Sequence, residues 1–251
     1  MLAVIADIHG NLEGLEAALE DIKQVGADQL VCLGDVGSGG PQPRETLRRV
    51  QELHCPVVLG NTDMYLIGPS AKAAMVNPSE RMRYLLAIER WCAEQLTDAD
   101  HAFVRTFQKT VRLELGGFPI LCFHGSPKSY SDLIVATTPD ETLAELLTER
   151  APLMLGGHMH VQLLRRYQDV TFVNPGSVGR PYETSPTGAD TGGEYKPARA
   201  EYALVEVVKG QPNITFRRVP YNLAPLRKAA EASGMPYTEK WLSGWLDQTT
   251  F

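Results

Sequence analysis

The fold is decided by residues 2–11, which read LAVIADIHGN. The first five of them form an apolar run that is rich in branched residues and has the length of a buried strand. Apolar residues then recur at spacings of three and four over 12–25, which predicts an amphipathic helix. The alternation continues with apolar runs at 29–33 and 56–59 on either side of a helical stretch at 43–53. Strands that alternate with helices in this way predict a parallel α/β sheet.

The middle of the chain changes character, because few strand signals occur between residues 64 and 108. We interpret this stretch as a helical insertion beside the sheet, with Ser79 and Thr97 as candidate helix caps. A loop rich in Pro, Gly, Thr and Ser at 181–199 is predicted to be mobile. The 251 residues are predicted to form one domain that ends in a helical tail at about 222–247. The other predicted elements are strands at 110–115, 118–123, 152–155, 163–167, 170–173, 202–208 and 213–219 and a helix at 139–150.

Charge and composition argue against several classes of protein. Lys and Arg number 24 and Asp and Glu number 30, so the formal net charge is −6, which disfavours a protein that coats nucleic acid. A small anionic substrate remains compatible, because a bound metal reverses the local field. No signal peptide and no apolar run long enough for a membrane helix are visible, and the four cysteines form no CxxC motif. We therefore expect a cytoplasmic protein with buried thiols and no membrane partner. The helical tail either packs on the domain or serves a homo-oligomer.

Polar side chains with metal-binding atoms follow five predicted strands. Ligands of parallel α/β sheets bind beyond the carboxyl ends of the strands, so these side chains are expected to meet at one edge. Several buried carboxylates together with neutral imidazoles indicate a compensating cation. The seven candidates are Asp7 and His9 after the first strand, Asp35 after the second, Asn61 after the third, His124 after the strand at 118–123, and His158 and His160 after the strand at 152–155.

This donor set predicts two divalent ions. Seven protein donors are too many for one tetrahedral zinc, and they suit two ions of higher coordination number that share a carboxylate. Mixed carboxylate, amide and imidazole donors favour transition metals over calcium or magnesium. We expect manganese, with iron, zinc, cobalt or nickel as alternatives. Two such ions about 3.5–4 Å apart are able to hold a hydroxide between them and clamp a phosphoryl group.

The order of the motifs resembles that of the calcineurin-like metallophosphoesterase family. The resemblance covers about residues 1–180, and the motifs at 7–11 and 174–179 are most similar to the small bacterial and archaeal phosphodiesterase-like members. It implies a sandwich of two mixed β-sheets flanked by helices. The motifs are Asp-x-His at 7–9, Gly-Asp at 34–35, Gly-Asn at 60–61, His-Gly at 124–125 and Gly-His-x-His at 157–160.

The resemblance also implies roles for the seven donors and an activity. Asp35 would bridge the two ions, and it would act in catalysis with Asn61 and His124 through the metal-bound hydroxide. The implied reaction is the hydrolysis of phosphomonoesters or phosphodiesters. The implied ligands are Asp7, His9 and His160 for the first ion and Asn61, His124 and His158 for the second.

One position departs from the pattern of many family members. They have His after the Gly-Asn motif, where this chain has Thr62, which cannot donate a proton at neutral pH. General acid catalysis contributes roughly 10²–10⁴ in rate, so poor leaving groups should suffer most from the change. We therefore expect a diester, nucleotide or phosphoanhydride as the small phosphorylated substrate. The alternatives are a protein Ser/Thr phosphatase, a dinucleoside polyphosphate hydrolase, or a non-catalytic protein-binding module with the same fold.

Two residues are candidates for contact with substrate. Asn11 opens the helix at 12–25, so it either caps that helix or contacts a phosphate near the helix N-terminus. Arg180 follows a glycine turn and either binds substrate phosphate or lies on the surface. Asp63 either braces a ligand histidine from behind or is a turn residue.

Overall fold

The protein is described by a computed structural model that covers residues 1–68, 77–182 and 196–246. No helix among these residues is both long and apolar enough to cross a membrane. In chain order the elements are β1 (Leu2–Ile5), α1 (Leu12–Gln24), β2 (Gln29–Cys32), α2 (Pro43–Glu52), α3 (Asp63–Ile67), α4 (Glu80–Glu94), α5 (Asp98–Val104), β3 (Val111–Leu115), β4 (Phe118–Phe123), α6 (Asp140–Leu146), β5 (Leu153–Gly156), β6 (Gln162–Tyr167), β7 (Val170–Pro175), β8 (Lys196–Pro197), β9 (Arg199–Val208), β10 (Gln211–Pro220), α7 (Leu223–Ser233), α8 (Thr238–Ser243) and β11 (Trp245–Leu246).

Two mixed sheets form the centre of the molecule. The first has the strand order β10-β9-β1-β2, in which β1 and β2 are parallel and the other pairs are antiparallel. The second has the order β3-β4-β5-β7-β6, with a parallel centre and an antiparallel strand at each edge. The predicted sandwich of two mixed sheets flanked by helices is confirmed.

Strand β1 is buried on both faces, which explains its continuous apolar run. Its alternate residues Leu2 and Val4 face the second sheet and pack in one core with Leu155 of β5. Ala3 and Ile5 point to the opposite face, in a core that includes Leu15 of α1. Because successive side chains of a strand point to opposite faces, one apolar strand joins the inter-sheet core to the helical layer.

The structure differs from the predicted elements at three places. The predicted third strand at 56–59 makes only isolated bridges, from Val57 to Cys32 and from Val58 to Gln108, so it does not extend the sheet. The tail is not one helix, since α7 ends at Ser233, the separate helix α8 follows, and the described residues end with the short strand β11 paired to β8. Part of the predicted mobile loop is this strand β8, and residues 183–195 lie outside the described residues.

The other elements of the insertion and the tail position the site. The insertion at 64–108 contains the helices α3, α4 and α5, with residues 69–76 outside the described part. Ser79 caps α4, and Thr97 caps α5 in a capping box with Asp100. The tail packs on the domain, where the indole Nε1 of Trp241 donates a 2.9 Å hydrogen bond to the carbonyl of Gly39. Helices α4 and α8 are thereby placed above the carboxyl ends of the strands.

Candidate metal centre

The ends of the parallel strands bring the predicted donors together. The backbone N–H of Asp7 donates to Gly34 O at 2.9 Å, and that of His9 donates to Asp35 O at 2.9 Å, so the loops after β1 and β2 are joined. The N–H of Gly157 donates to His124 O at 2.9 Å and joins the loops after β4 and β5. Chain segments that are far apart in sequence therefore meet at one edge.

The donors form two adjacent sets. Asp7, His9 and His160 make one, and Asp35, His124 and His158 make the other, and within each set the ligand atoms lie within 4.8 Å of one another. We call them the first and second sets. The carboxamide Oδ1 of the seventh donor, Asn61, lies 3.1 Å from Nε2 of His124. The grouping coincides with the two ligand sets that the family resemblance implies.

One carboxylate oxygen lies between the two sets. Oδ2 of Asp35 is 3.6 Å from Nε2 of His9 in the first set and 3.4 Å from Nε2 of His124 in the second. The other oxygen, Oδ1, accepts a 2.8 Å hydrogen bond from the backbone N–H of Thr62. Asp35 is therefore held by one oxygen while the other is free to be shared, as a bridging ligand requires.

Backbone carbonyls fix the orientation of three imidazoles. A carbonyl only accepts hydrogen bonds, so each Nδ1 must carry the proton and each Nε2 turns toward the site. A neutral imidazole held in this way offers its Nε2 lone pair to a metal. The three contacts, each 2.7 Å long, are His9 Nδ1 to Ser38 O, His124 Nδ1 to Leu33 O, and His160 Nδ1 to Arg180 O.

The first set contains hydrogen-bond acceptors that face one another without a donor hydrogen between them. Nε2 of His9 and Nε2 of His160 lie 3.0 Å apart, and both imidazoles already carry their proton on Nδ1. Oδ1 of Asp7 is fully buried without a hydrogen-bond partner, and its nearest ring nitrogen is Nε2 of His160 at 3.3 Å. Lone pairs that point at one another in a buried space are unfavourable unless a cation lies among them. The donor set therefore fits a metal ion.

The titration of the site also indicates that it stabilises positive charge. Burial opposes ionisation of both carboxyls, yet His160 lowers the pKa of Asp7, and His124 lowers the pKa of Asp35. Burial likewise opposes a charge on His124, but Asp35 and Asp7 raise its pKa to about 10. The pKa of His9 falls to about 3 because of its burial and the neighbouring His160. The two carboxylates therefore favour a positive charge at the position of His124, where a divalent ion would compete with a proton.

Five of the seven donors have a strained backbone. Left-handed φ values are uncommon for residues other than glycine, and they cluster at functional sites, where the surrounding structure enforces them. Here they turn the side chains of successive residues toward one point. The five are Asp7 (φ 56°), His9 (φ 49°), Asp35 (φ 54°), His158 (φ 72°) and His160 (φ 56°).

Asp63 supports the second set from behind. Its carboxylate is fully buried and accepts three backbone hydrogen bonds, from Asp35 N at 2.7 Å, Val36 N at 2.9 Å and Gly60 N at 3.0 Å. It touches the backbone of a ligand loop and no ligand imidazole. The predicted contact with a ligand histidine is therefore wrong, and Asp63 instead supports the backbone of the loop that carries Asp35.

Replacing Asp63 by asparagine should lower the free energy of unfolding by about 1–3 kcal/mol, because an amide N–H would face a backbone N–H and leave a buried donor unpaired. Chemical denaturation of the metal-free protein measures the change. Asp169, which is exposed, gives the matched control Asp169→Asn. Equal stability of the two variants would contradict the supporting role.

The two predicted substrate contacts have different outcomes. Asn11 is fully buried, and its carboxamide accepts from Gly14 N and donates to Gly179 O and to Tyr221 Oη, each at 2.9 Å. Both amide hydrogens are therefore used inside the fold, and Asn11 is a helix cap without a free donor for a phosphate. Arg180 is not a surface residue, since it is 9% exposed and lines a cavity beside the donors.

This cavity has a volume of about 680 Å³ and opens directly on both ligand sets. Its far wall is formed by helices α4 and α8, which supply Tyr84 and Lys240. Tyr182 also lines it, with its ring stacked on His160 at a centroid distance of 4.8 Å and an interplanar angle of 11°. Sequence reasoning missed Tyr182 and Ser38. The glycines around Ser38 at 37, 39 and 40 were the available signal for a loop that closely approaches a ligand.

Comparison with known proteins identifies the family that the motifs resemble, and the match covers most of the chain. The model of the calcineurin-like phosphoesterase superfamily domain matches residues 1–191. An uncharacterized protein of Methanocaldococcus jannaschii is 27% identical over 196 residues, which span 72% of this chain and 77% of that protein. A symmetrical bis(5'-nucleosyl)-tetraphosphatase of Shewanella sediminis is 36% identical over 85 residues, which span 33% of this chain and 31% of that enzyme.

Solved structures show the same architecture over nearly the full length. The crystal structure of a metallophosphoesterase from Sphaerobacter thermophilus superposes with a TM-score of 0.68 at 27% identity, covering 97% of this chain and 99% of that one. A hypothetical protein from Pyrococcus horikoshii has the same fold, with a TM-score of 0.76 at 21% identity and 97% coverage of both chains. The chain belongs to the calcineurin-like phosphoesterase superfamily and is a hydrolase of phosphoesters.

Proposed function

We propose that the protein is a dinuclear metal-dependent phosphoesterase that cleaves phosphodiester, nucleotide or phosphoanhydride bonds. The observation that carries the proposal is the pair of adjacent donor sets with one oxygen of Asp35 between them. When bound, two divalent ions would activate a water molecule as nucleophile and neutralise the oxygens of the phosphoryl group. Manganese is the proposed metal.

The chain itself contributes orientation and charge. Carbonyl contacts hold Nε2 of His9, His124 and His160 toward the reacting group, so little reorganisation is needed when substrate binds. The N–H of Thr62 holds the outer oxygen of Asp35. The guanidinium of Arg180 adds a positive charge to the wall of the cavity. Asp35, Asn61 and His124 are the proposed catalytic residues, which act through the metal site.

The residue at position 62 supports substrates with good leaving groups. Thr62 lines the cavity, and its buried hydroxyl has no hydrogen-bond partner within residues 1–68, 77–182 and 196–246. A hydroxyl group does not protonate a leaving alkoxide at neutral pH, whereas a leaving phosphate or phenolate needs no proton. Similarity to the Shewanella sediminis tetraphosphatase supports a dinucleoside polyphosphate as a second candidate substrate. A purely binding role is disfavoured, because all seven positions hold metal-binding residues and five of the seven line the cavity.

Hydrolysis of bis-(p-nitrophenyl) phosphate tests the proposal. Purified protein loaded with manganese should turn the diester over, chelator should abolish turnover, and added manganese should restore it. Parallel assays with a phosphopeptide and a dinucleoside polyphosphate separate the candidate substrates. Turnover that persists after chelation, or no turnover of any of the three compounds by folded, metal-loaded protein, would overturn the proposal.

Replacing Thr62 by histidine should favour esters with poor leaving groups. We expect the ratio of turnover on an alkyl phosphate to turnover on an aryl phosphate to rise about tenfold or more, within the range that general acid catalysis provides. Glutamine is similar in size to histidine but cannot transfer a proton, so Thr62→Gln is the matched control. An unchanged ratio in Thr62→His, or an equal rise in both variants, would contradict the assignment of position 62.

A further inference from the structure

We propose that Arg180 and Ser38 form an anion subsite next to the first ligand set that binds a second phosphate group of the substrate. The inference rests on the proposed function and narrows it to phosphoanhydrides, in which the leaving group is itself a phosphate. Its basis is a pair of buried hydrogen-bond donors that the fold leaves without acceptors.

Arg180 is the first of these donors. The residue is nine-tenths buried, lines the cavity, and its Nε has no hydrogen-bond partner among the described residues. Its backbone is fixed, because its N–H donates to Ser177 Oγ at 2.7 Å and its carbonyl accepts from Nδ1 of His160 at 2.7 Å. A buried guanidinium N–H without an acceptor is costly, so this position favours a ligand that offers an acceptor oxygen.

Ser38 is the second donor. It is fully buried and lines the same cavity, and its Oγ has no hydrogen-bond partner in the part of the chain that the structure describes, while its carbonyl accepts from His9. Its neighbour Gly39 has a φ of +105°, and a Cβ there would lie 3.0 Å from Nδ1 of His9 and 3.4 Å from Nη1 of Arg180. The absence of a side chain at Gly39 thus keeps the space between Ser38, His9 and Arg180 open. An oxyanion is the group that accepts from a hydroxyl and a guanidinium together.

The charges at the site indicate that this anion is a second phosphate, next to the phosphoryl group that water attacks. The two ligand sets contain two carboxyl groups, of Asp7 and Asp35, and four imidazoles. Two divalent ions, these carboxylates, one deprotonated water and one diester phosphate together carry no net charge. Outside this balanced group, the cavity wall carries more basic than acidic side chains, namely Arg81, Arg180, Lys196 and Lys240 against Glu80 and Glu89. A further phosphate supplies the matching negative charge.

The reaction that follows is balanced without a general acid. The oxygen of water forms a bond to phosphorus, and the bond from that phosphorus to the bridging oxygen breaks. The electron pair stays on the bridging oxygen, which becomes a terminal oxygen of the leaving phosphate. One proton of the water passes to solvent, and the other stays on the oxygen that has joined the attacked phosphorus. Arg180 and Ser38 hold the leaving phosphate, so Thr62 is not required to donate a proton.

Binding measurements test the subsite independently of turnover. Manganese-loaded protein, freed of unbound metal, is titrated calorimetrically with inorganic phosphate and with methylenebisphosphonate, a phosphoanhydride analogue that cannot be cleaved. We expect Arg180→Met to weaken bisphosphonate binding about tenfold or more, as for the loss of a charged hydrogen bond, and phosphate binding by less than about threefold. Arg180→Lys should bind bisphosphonate more tightly than Arg180→Met does. Ser38→Ala should weaken bisphosphonate binding less than Arg180→Met does, and again more than it weakens phosphate binding. Arg105→Met, at an exposed arginine, should change neither.

The outcomes separate this inference from the proposed function. Equal losses of affinity for phosphate and bisphosphonate would mean that Arg180 contacts the phosphoryl group that water attacks. Unchanged bisphosphonate binding would mean that Arg180 contacts no ligand. Either result overturns the subsite. Each titration is paired with a thermal melt and a metal analysis, so that a misfolded or metal-poor variant is recognised and Arg180→Lys decides in its place. Failure of the proposed function would appear elsewhere, as absence of metal-dependent hydrolysis by the unmodified protein.

Discussion

Replacing His124 by asparagine should lower metal-dependent turnover at least about a thousandfold, because the stabilisation of charge that a bound metal supplies is worth several kcal/mol. His124 contributes Nε2 to the second set at 3.4 Å from the bridging oxygen of Asp35 and 3.1 Å from Asn61. The shorter asparagine side chain does not reach this point from the same backbone. Steady-state kinetics on an aryl diester measure the loss, and metal analysis should show that the second ion is lost.

The control for this variant is another histidine of the same chain. His54 is exposed and has a left-handed φ of 50°, a conformation that asparagine tolerates well, so His54→Asn removes an imidazole without strain. It should keep the turnover and the metal content of the unmodified protein. Comparable activity of His124→Asn and His54→Asn would remove the second set from catalysis.

Replacing Gly60 by alanine should have the second large effect, on stability and on the metal site together. A Cβ at Gly60 would overlap Oδ1 and the backbone nitrogen of Asp35 and lie 2.8 Å from its Cγ. The methyl group would force the proposed bridging carboxylate out of position, and overpacking of this kind costs about 1–3 kcal/mol. We expect a lower melting temperature and loss of at least one bound ion.

Gly68 provides the matched control for this substitution. Its φ of −157° is ordinary extended backbone, and among the described residues a Cβ there would find only Met64 O, at 3.9 Å. Gly68→Ala should therefore keep both the melting temperature and the metal content. If Gly60→Ala behaves in the same way, the close approach of Gly60 to Asp35 is not what holds the bridging position.

The main elements of the fold and the positions of the donors could be predicted from the sequence, for a physical reason. A strand buried on both faces reads as a continuous apolar run, and its end is visible as the first polar residue, as at Asp7 after Ala6. Such runs located β1 and β2 and the donors behind them. The strand predicted at 56–59 is wrong, because an apolar run indicates burial and not strand pairing. Val57 and Val58 are buried, but each makes only one isolated bridge.

Contacts between distant segments could not be predicted from local patterns. The role of Asn11 depends on Tyr221, and the cavity position of Arg180 depends on Gly39, and these pairs are far apart in the chain. The position of Trp245 in a short strand, rather than in the tail helix, depends on its pairing with Lys196. Spacing rules describe neighbours on one element and carry no information about such pairs.

The central claim is that the two sets hold two ions at once. The direct measurement is the number of metal ions per chain, by elemental analysis of protein that has been loaded with manganese and freed of unbound metal. The account predicts two ions per chain in the unmodified protein, fewer than two in His124→Asn, and two in His54→Asn. A single ion, or none, in folded and catalytically active protein would contradict it.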